Sequence, residues 1–246
     1  MMDFVKNGFN SLKVIFIINV LFFLLVLFFQ FLTGETQVFD IEFMSLTGVF
    51  NTYLFQTGEV WTVITSGFLH YDPLHFAMNM YALYVLGTKI EYFYGRKKLF
   101  IAYIAGVIFG SGFVYFQSII SDNYISVLGA SSGLFAFIGL LVGGSLRKNR
   151  FGGNLPIEIN QLYPILFWAL IVNIIPNVSI AGHLGGFVAG FILGKLFSIE
   201  MGYISSDTEK RNTDFLFKLA VAILVAALAA YCIHFVNLLI FSNTSF

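Results

Sequence analysis

The chain is poor in charge. Only 11% of its 246 residues are Asp, Glu, Lys or Arg, against about 25% in a typical soluble domain. The thirteen basic and thirteen acidic residues cancel, so no basic excess exists to neutralise phosphates and nucleic-acid binding is excluded. One cysteine, Cys232, rules out an intramolecular disulfide framework, and no clustered thiols suggest a metal. Four prolines and evenly spread glycines leave no room for a long low-complexity linker. What is abundant is apolar: hydrophobic residues make up 58%, with 31 Phe. A soluble fold of this size could not hide that surface, so disorder is excluded and lipid must be part of the solvent. The Phe richness is read as lipid-facing surface.

Spanning helices need about 20 mostly apolar residues. Seven candidate segments are read: about Val14 to Leu32, Leu74 to Tyr92, Leu99 to Ile119, Val127 to Leu146, Leu162 to Ile175, Ala181 to Phe197 and Phe215 to Phe241; the fifth is short and ends at Pro176. The first is too long for a signal-peptide core and no small-residue cleavage site follows it, so it is expected to be a retained anchor. Loop charges alternate strictly. Lys6 and Lys13 precede segment one, and Arg96, Lys97 and Lys98 lie between segments two and three. Arg147, Lys148 and Arg150 lie between four and five, and Lys210, Arg211 and Lys218 between six and seven. The other connections carry no Lys or Arg. The positive-inside rule then places the N-terminus in the cytoplasm and the C-terminus outside, and the short loops and bare termini point to a bacterial plasma membrane. The expected organisation is a polytopic all-α bundle: a cytoplasmic stretch over 1–13, a six-helix core over 14–198, a linker over 199–214 and an extra C-terminal span over 215–246. Residues 33–73, rich in Phe, Leu, Val and Trp61, are expected to lie in the outer interface.

Four polar side chains stand where lipid would exclude them. His75 and Asn79 lie in the first turns of segment two, Ser131 near the start of segment four, and His183 at the start of segment six. All three segments begin on the outer side, which puts the four groups at similar depth, roughly 3 to 10 Å inside. Buried polar groups in a membrane need partners. Singly, each reads as interhelical glue worth about 0.6 to 2 kcal/mol. Together they are the parts of a serine hydrolase: nucleophile, base and oxyanion donors. Gly182, Gly186, Gly190 and Gly194 bare one face of segment six, so segment four can pack close and bring Ser131 within reach of His183. No acid lies in segments four, five or six. Glu91 falls roughly 24 Å deeper than His75 along the helix and reads as structural, while Asp72 lies in the loop. A Ser–His dyad is therefore expected. His70 is read as a structural contact to the outer loop and His234 as a packed or snorkelling residue. Ser132 adjoins Ser131, and spacing from Gly129 favours Ser131 as the nucleophile.

Over residues 61 to 195 the chain resembles the rhomboid intramembrane serine proteases. The family's His-x4-His-x3-Asn signature corresponds to His70, His75 and Asn79, its Gly-x3-Glu-x3-Gly element to Gly87, Glu91 and Gly95, its serine motif to Gly129-Ala130-Ser131, and its histidine motif to His183 followed by Gly186 and Gly190. The resemblance implies a six-plus-one helical fold, an oxyanion hole from His75, Asn79 and the Ser131 N–H, no cofactor, and membrane helices of other proteins as substrates. Ser132 stands where the family usually has Gly and Thr62 where it has Arg after Trp61. Phe135 takes the place of the Tyr that stacks on the histidine. A helix-binding relative without activity would have lost the Ser or His kept here. A secondary transporter would show paired repeats, broken helices and midplane acids, and a zinc protease a His-Glu-x-x-His motif; none is read in this chain. Oligomeric state is left open.

Overall fold

A computed structural model describes residues 10–33, 47–146, 159–176, 178–199 and 206–242. The chain builds α1 (Ser11–Thr33), a two-residue strand β1 (Phe50–Asn51), short helices α2 (Thr52–Gln56) and α3 (Thr62–Thr65), and a 3-10 turn (Ser66–Phe68). There follow α4 (Pro73–Ser121), β2 (Ser126–Val127), α5 (Ser131–Ser145), α6 (Ile159–Val172), α7 (Ile180–Leu196) and α8 (Asp207–Ser242). Lys6, Arg147, Lys148 and Arg150 of the charge pattern, and residues 34–46 of the outer connection, lie outside the described residues.

The bundle is a polytopic membrane fold, and its burial pattern shows why. Along α1 the stripe Ile15, Asn19, Phe22, Val26 and Phe29 is buried, while Ile17, Leu21, Leu24, Phe28 and Phe31 face outward. Apolar side chains on both faces suit a helix whose outer solvent is lipid. Phenylalanine serves both environments: Phe50, Phe68, Phe100 and Phe137 are fully buried, so the lipid-facing reading of this residue type holds for only part of the set.

Segments two and three are the arms of α4, separated by a break at Gly95 alone (φ 80°, ψ 167°). That backbone region is essentially glycine's, which makes a loop unnecessary. Arg96, Lys97 and Lys98 thus open the second arm, and Lys98 is not a solvated loop charge but 1% exposed. Its amine donates to the Ser198 carbonyl (2.8 Å) and to Glu209 (3.0 Å). Segment four is shorter than the sequence suggested. Ser126 and Val127 pair with Asn51 and Phe50, and Gly129 has φ 128°, so α5 starts only at Ser131. Fifteen residues make about 22 Å of helix, less than the ~30 Å hydrocarbon core. Ser131 is thereby the first residue of a helix too short to cross that core at full length. Segment five occupies Ile159–Val172 and ends in a turn that begins at Asn173. The helix of the seventh segment begins at Asp207, so the second half of the stretch expected as a linker over 199–214 is helical. The described part of the connection between α1 and α4 carries β1, α2 and α3 and is built of regular elements.

α5 is buried on nearly every side, as a central helix must be. Its most extensive contact is with α7. A Cβ on Gly186, Gly190 or Gly194 would collide with the backbone carbonyls of Ser132, Ala136 and Leu140, and one on Gly139 or Gly143 with those of Phe187 and Phe191. The two helices interlock backbone to backbone, which only small residues permit. α8 lays Ala220, Leu224, Ala227 and Tyr231 against the core, with Tyr231 touching Phe22 and Phe235 touching Phe29 of α1.

Candidate active site

The interlocked helices α5 and α7 bring their first turns together. Ala130 precedes α5 and caps none of its N–H groups, so the donors of the first turn, that of Ser131 among them, have no side-chain partner at this helix end. Ser179 caps α7, accepting from the Gly182 N–H at 3.1 Å, and holds His183 in the first turn. Ser131 Oγ and His183 Nε2 lie 2.8 Å apart. Phe135, one turn below Ser131, stacks on the imidazole with centroids 3.9 Å apart and planes 11° from parallel. His183 is only 4% exposed.

Ser132 faces elsewhere. Its hydroxyl lies where a Cβ on Gly110 or Gly182 would meet it, in the crevice between the second arm of α4 and α7. Of the two adjacent serines, Ser131 is the one against the histidine.

The first arm of α4 supplies the other two groups. Asp72 caps it, accepting from the His75 N–H at 2.7 Å, with Pro73 beginning the helix. The His75 ring covers Gly129: a Cβ there would stand 2.9 Å from Cε1, 3.1 Å from Nε2 and 3.7 Å from Ser131 Oγ. Glycine at 129 is thus required both by its positive φ and by the imidazole. Asn79, one turn on and 6% exposed, donates its amide to the His75 carbonyl at 3.0 Å. His70, fully buried, packs edge-on against His75 and Phe76 at 5.0 and 5.3 Å. Burial, with the neighbouring His75 adding to it, pushes the His70 imidazole down to about 3, so it is neutral and acts in packing.

Other residues singled out in the sequence fall away from this cluster. Glu91 pairs with Arg96 at 3.2 Å beside the Gly95 break. Thr62 is buried with its hydroxyl donating to the Glu59 carbonyl. Trp61 lies tilted against His234 of α8 with ring centroids 4.8 Å apart, so His234 is a packed residue that joins the connection between α1 and α4 to α8. Among the described residues no group of three or more His, Cys, Asp or Glu could hold a metal.

One neighbour escaped the sequence reading. Asn173 Oδ1 lies 2.9 Å from His183 Nδ1, behind the ring where a triad would place a carboxylate. Its only sequence signal is an amide at the end of an apolar segment, ten positions before His183; an intramembrane polar residue of that kind calls for a partner.

A model of the rhomboid domain matches residues 57–200. The chain is 30% identical over 193 residues to RHOMBOID-like protein 1 of Arabidopsis thaliana, covering 74% of this chain and 49% of that protein. It is 28% identical over 192 residues to rhomboid protease GluP of Bacillus subtilis, with 76% and 34% covered. To rhomboid-like protease 3 of Toxoplasma gondii it is 28% identical over 155 residues, with 61% and 56% covered. The chain spans about half the length, or less, of the first curated relatives it matches.

Proposed function

The chain belongs to the rhomboid family, and from that premise we propose that it is an intramembrane serine endopeptidase, hydrolysing peptide bonds in or near the transmembrane helices of other membrane proteins. The observation that carries the reading is the 2.8 Å approach of Ser131 Oγ to His183 Nε2 within a membrane bundle. A serine hydroxyl is a weak nucleophile until a base takes its proton. As Ser131 Oγ attacks the scissile carbonyl carbon, its proton passes to His183 Nε2. The carbonyl oxygen becomes an oxyanion facing the Ser131 N–H, the His75 ring and the second amide hydrogen of Asn79. One such donor is worth roughly 3 kcal/mol in a site shielded from bulk water. Collapse of the tetrahedral intermediate breaks the C–N bond, and His183 returns the proton to the leaving amine. The acyl group stays on Ser131 until water, deprotonated by His183, attacks it. A second collapse then frees the carboxylate product and restores the serine.

The chemistry needs water, and the short α5 supports its supply. Arg96, Lys97, Lys98 and Lys210 lie at the far end of the bundle; with that end in the cytoplasm, the site opens toward the outer face. A substrate helix hides its carbonyls in hydrogen bonds and must unwind locally before attack. Segments with Gly, Pro or polar residues near the outer end of their span should therefore be cut in preference to an unbroken Leu helix.

The test is labelling by a fluorophosphonate probe in mild detergent. Labelling of the wild type and of Ser132→Ala, but not of Ser131→Ala or His183→Ala, is expected. A folded, monodisperse wild type that stays unlabelled would overturn the reading in favour of a protein that binds membrane helices without cutting them.

A further inference from the structure

The ring of His183 is held on three sides. Phe135 covers one face, Ser131 meets Nε2 and Asn173 meets Nδ1. The third contact comes from a different element, the turn after α6, which packs mainly on α5. Its orientation follows from a second bond: Asn173 Nδ2 donates to the Ala169 carbonyl at 2.7 Å. Flipping the amide would set its oxygen against that carbonyl, acceptor to acceptor, and turn its NH2 toward His183. The carbonyl oxygen of Asn173 is therefore what faces Nδ1, and an acceptor there demands a proton on Nδ1. A neutral imidazole carries one proton, so Nε2 is left with its lone pair toward the Ser131 hydroxyl.

We propose that Asn173 is a positioning residue: its side-chain oxygen, anchored through Ala169, keeps the His183 proton on Nδ1 and so leaves Nε2 free to accept the proton of Ser131. The proposal rests on the reading of Ser131 and His183 as nucleophile and base. The Asn173 bond also strengthens as the reaction proceeds, because the imidazolium formed by proton uptake is a charged donor. An amide supplies this without introducing a carboxylate beside the oxyanion. Of the other titratable side chains, His75 faces the site, His70 and Tyr71 pack against its ring, and Asp72 is occupied in capping α4. Since Asn173 lies on neither α5 nor α7, the orientation of the base depends on how the end of α6 is seated, and not only on the glycine interlock.

Three measurements on the full chain test this. Cleavage of a reporter membrane helix by Asn173→Ala should show kcat reduced about 10- to 100-fold, the range of a hydrogen bond to a charged group, with KM within about twofold. Asn173→Asp should recover most of kcat and shift the acid limb of its pH profile upward, because a carboxylate behind the ring stabilises the imidazolium. Nitrogen NMR of 15N-histidine-labelled protein should show His183 with Nδ1 protonated in the wild type and a mixture of tautomers in Asn173→Ala. Wild-type turnover in Asn173→Ala, a loss confined to KM or thermal stability without rescue by Asp, or an unprotonated Nδ1 in the wild type would overturn the proposal. The tautomer spectrum does not depend on turnover. A wild type that fails to react with fluorophosphonate while keeping the Nδ1-protonated form would therefore refute the proposed function separately from the Asn173 contact.

Discussion

Removing the Glu209 carboxylate should cut the seventh span loose from the core. Glu209, in the first turn of α8, accepts from the Lys98 amine at 3.0 Å and from the N–H of Ser198 at 2.9 Å, and it is bonded to the Ser198 hydroxyl as well. One carboxylate thus ties together the second arm of α4, the end of α7 and the start of α8. Lys98 is 1% exposed and Glu209 21%. Breaking a buried pair by deleting one partner costs about 3–5 kcal/mol. Water can reach the Glu209 side and Lys98 keeps the Ser198 carbonyl, so Glu209→Ala should cost about 2–3 kcal/mol. Lys98→Met should cost less, about 1 kcal/mol, because the carboxylate retains both Ser198 donors and turns to water without stranding a buried charge. The double variant Lys98→Met/Glu209→Ala should then be scarcely worse than Glu209→Ala alone, which gives a coupling energy of about 1 kcal/mol. The assay is reversible unfolding in mixed dodecyl maltoside and dodecyl sulfate micelles followed by circular dichroism. Fluorophosphonate labelling of the folded fraction should be unchanged, because the cluster lies at the opposite end of the bundle from Ser131. A Glu209→Ala loss under about 0.5 kcal/mol, or strict additivity in the cycle, would refute the argument that Lys98 depends on this carboxylate.

Gly190→Ala places a methyl against the Ala136 carbonyl and should separate α5 from α7, costing about 1–3 kcal/mol and abolishing fluorophosphonate labelling; Gly112→Ala, whose Cβ meets nothing within 4 Å, should leave labelling intact and raise the unfolding midpoint slightly. Phe135→Leu removes the stack on His183 and should slow labelling by several-fold, corresponding to about 0.5–1.5 kcal/mol, while Phe135→Tyr preserves the rate. His70, held neutral with its imidazole at about 3, takes up a proton near 6.5 once unfolded. Its contribution to stability is complete above pH 6.5 and falls as pH drops from 6.5 toward 3, by about 2 kcal/mol at pH 5. Unfolding titrations of the wild type should therefore steepen below pH 6.5 relative to His70→Gln, and parallel curves would count against the buried neutral ring.

Much of this protein was legible in its sequence because a bilayer imposes long, local and nearly context-free signals. Apolar runs located the long helices of the described residues to within a few positions, apart from the starts of segments four and seven. A Ser, an Asn and two His near the starts of three helices could meet at one end of the bundle, and the glycines every four residues along α7 required a partner backbone at close range. The Ser131–His183 approach follows from those facts and from helix geometry alone. Tertiary structure decided what depends on elements distant in sequence. Pairing of Ser126 and Val127 with β1, together with the positive φ of Gly129, shortened α5 and set Ser131 at its first position. Packing at Gly110 and Gly182 turned Ser132 away from the histidine. Lys98 was a loop cation by sequence and became a buried one only because Ser198 and Glu209 converge on it. Asn173 gained a partner only because the turn after α6 reaches the ring of a histidine held by other helices. Hydropathy and periodicity record what each segment demands of its solvent; which side chain meets a given nitrogen is set by how separate segments pack, and no local pattern encodes it.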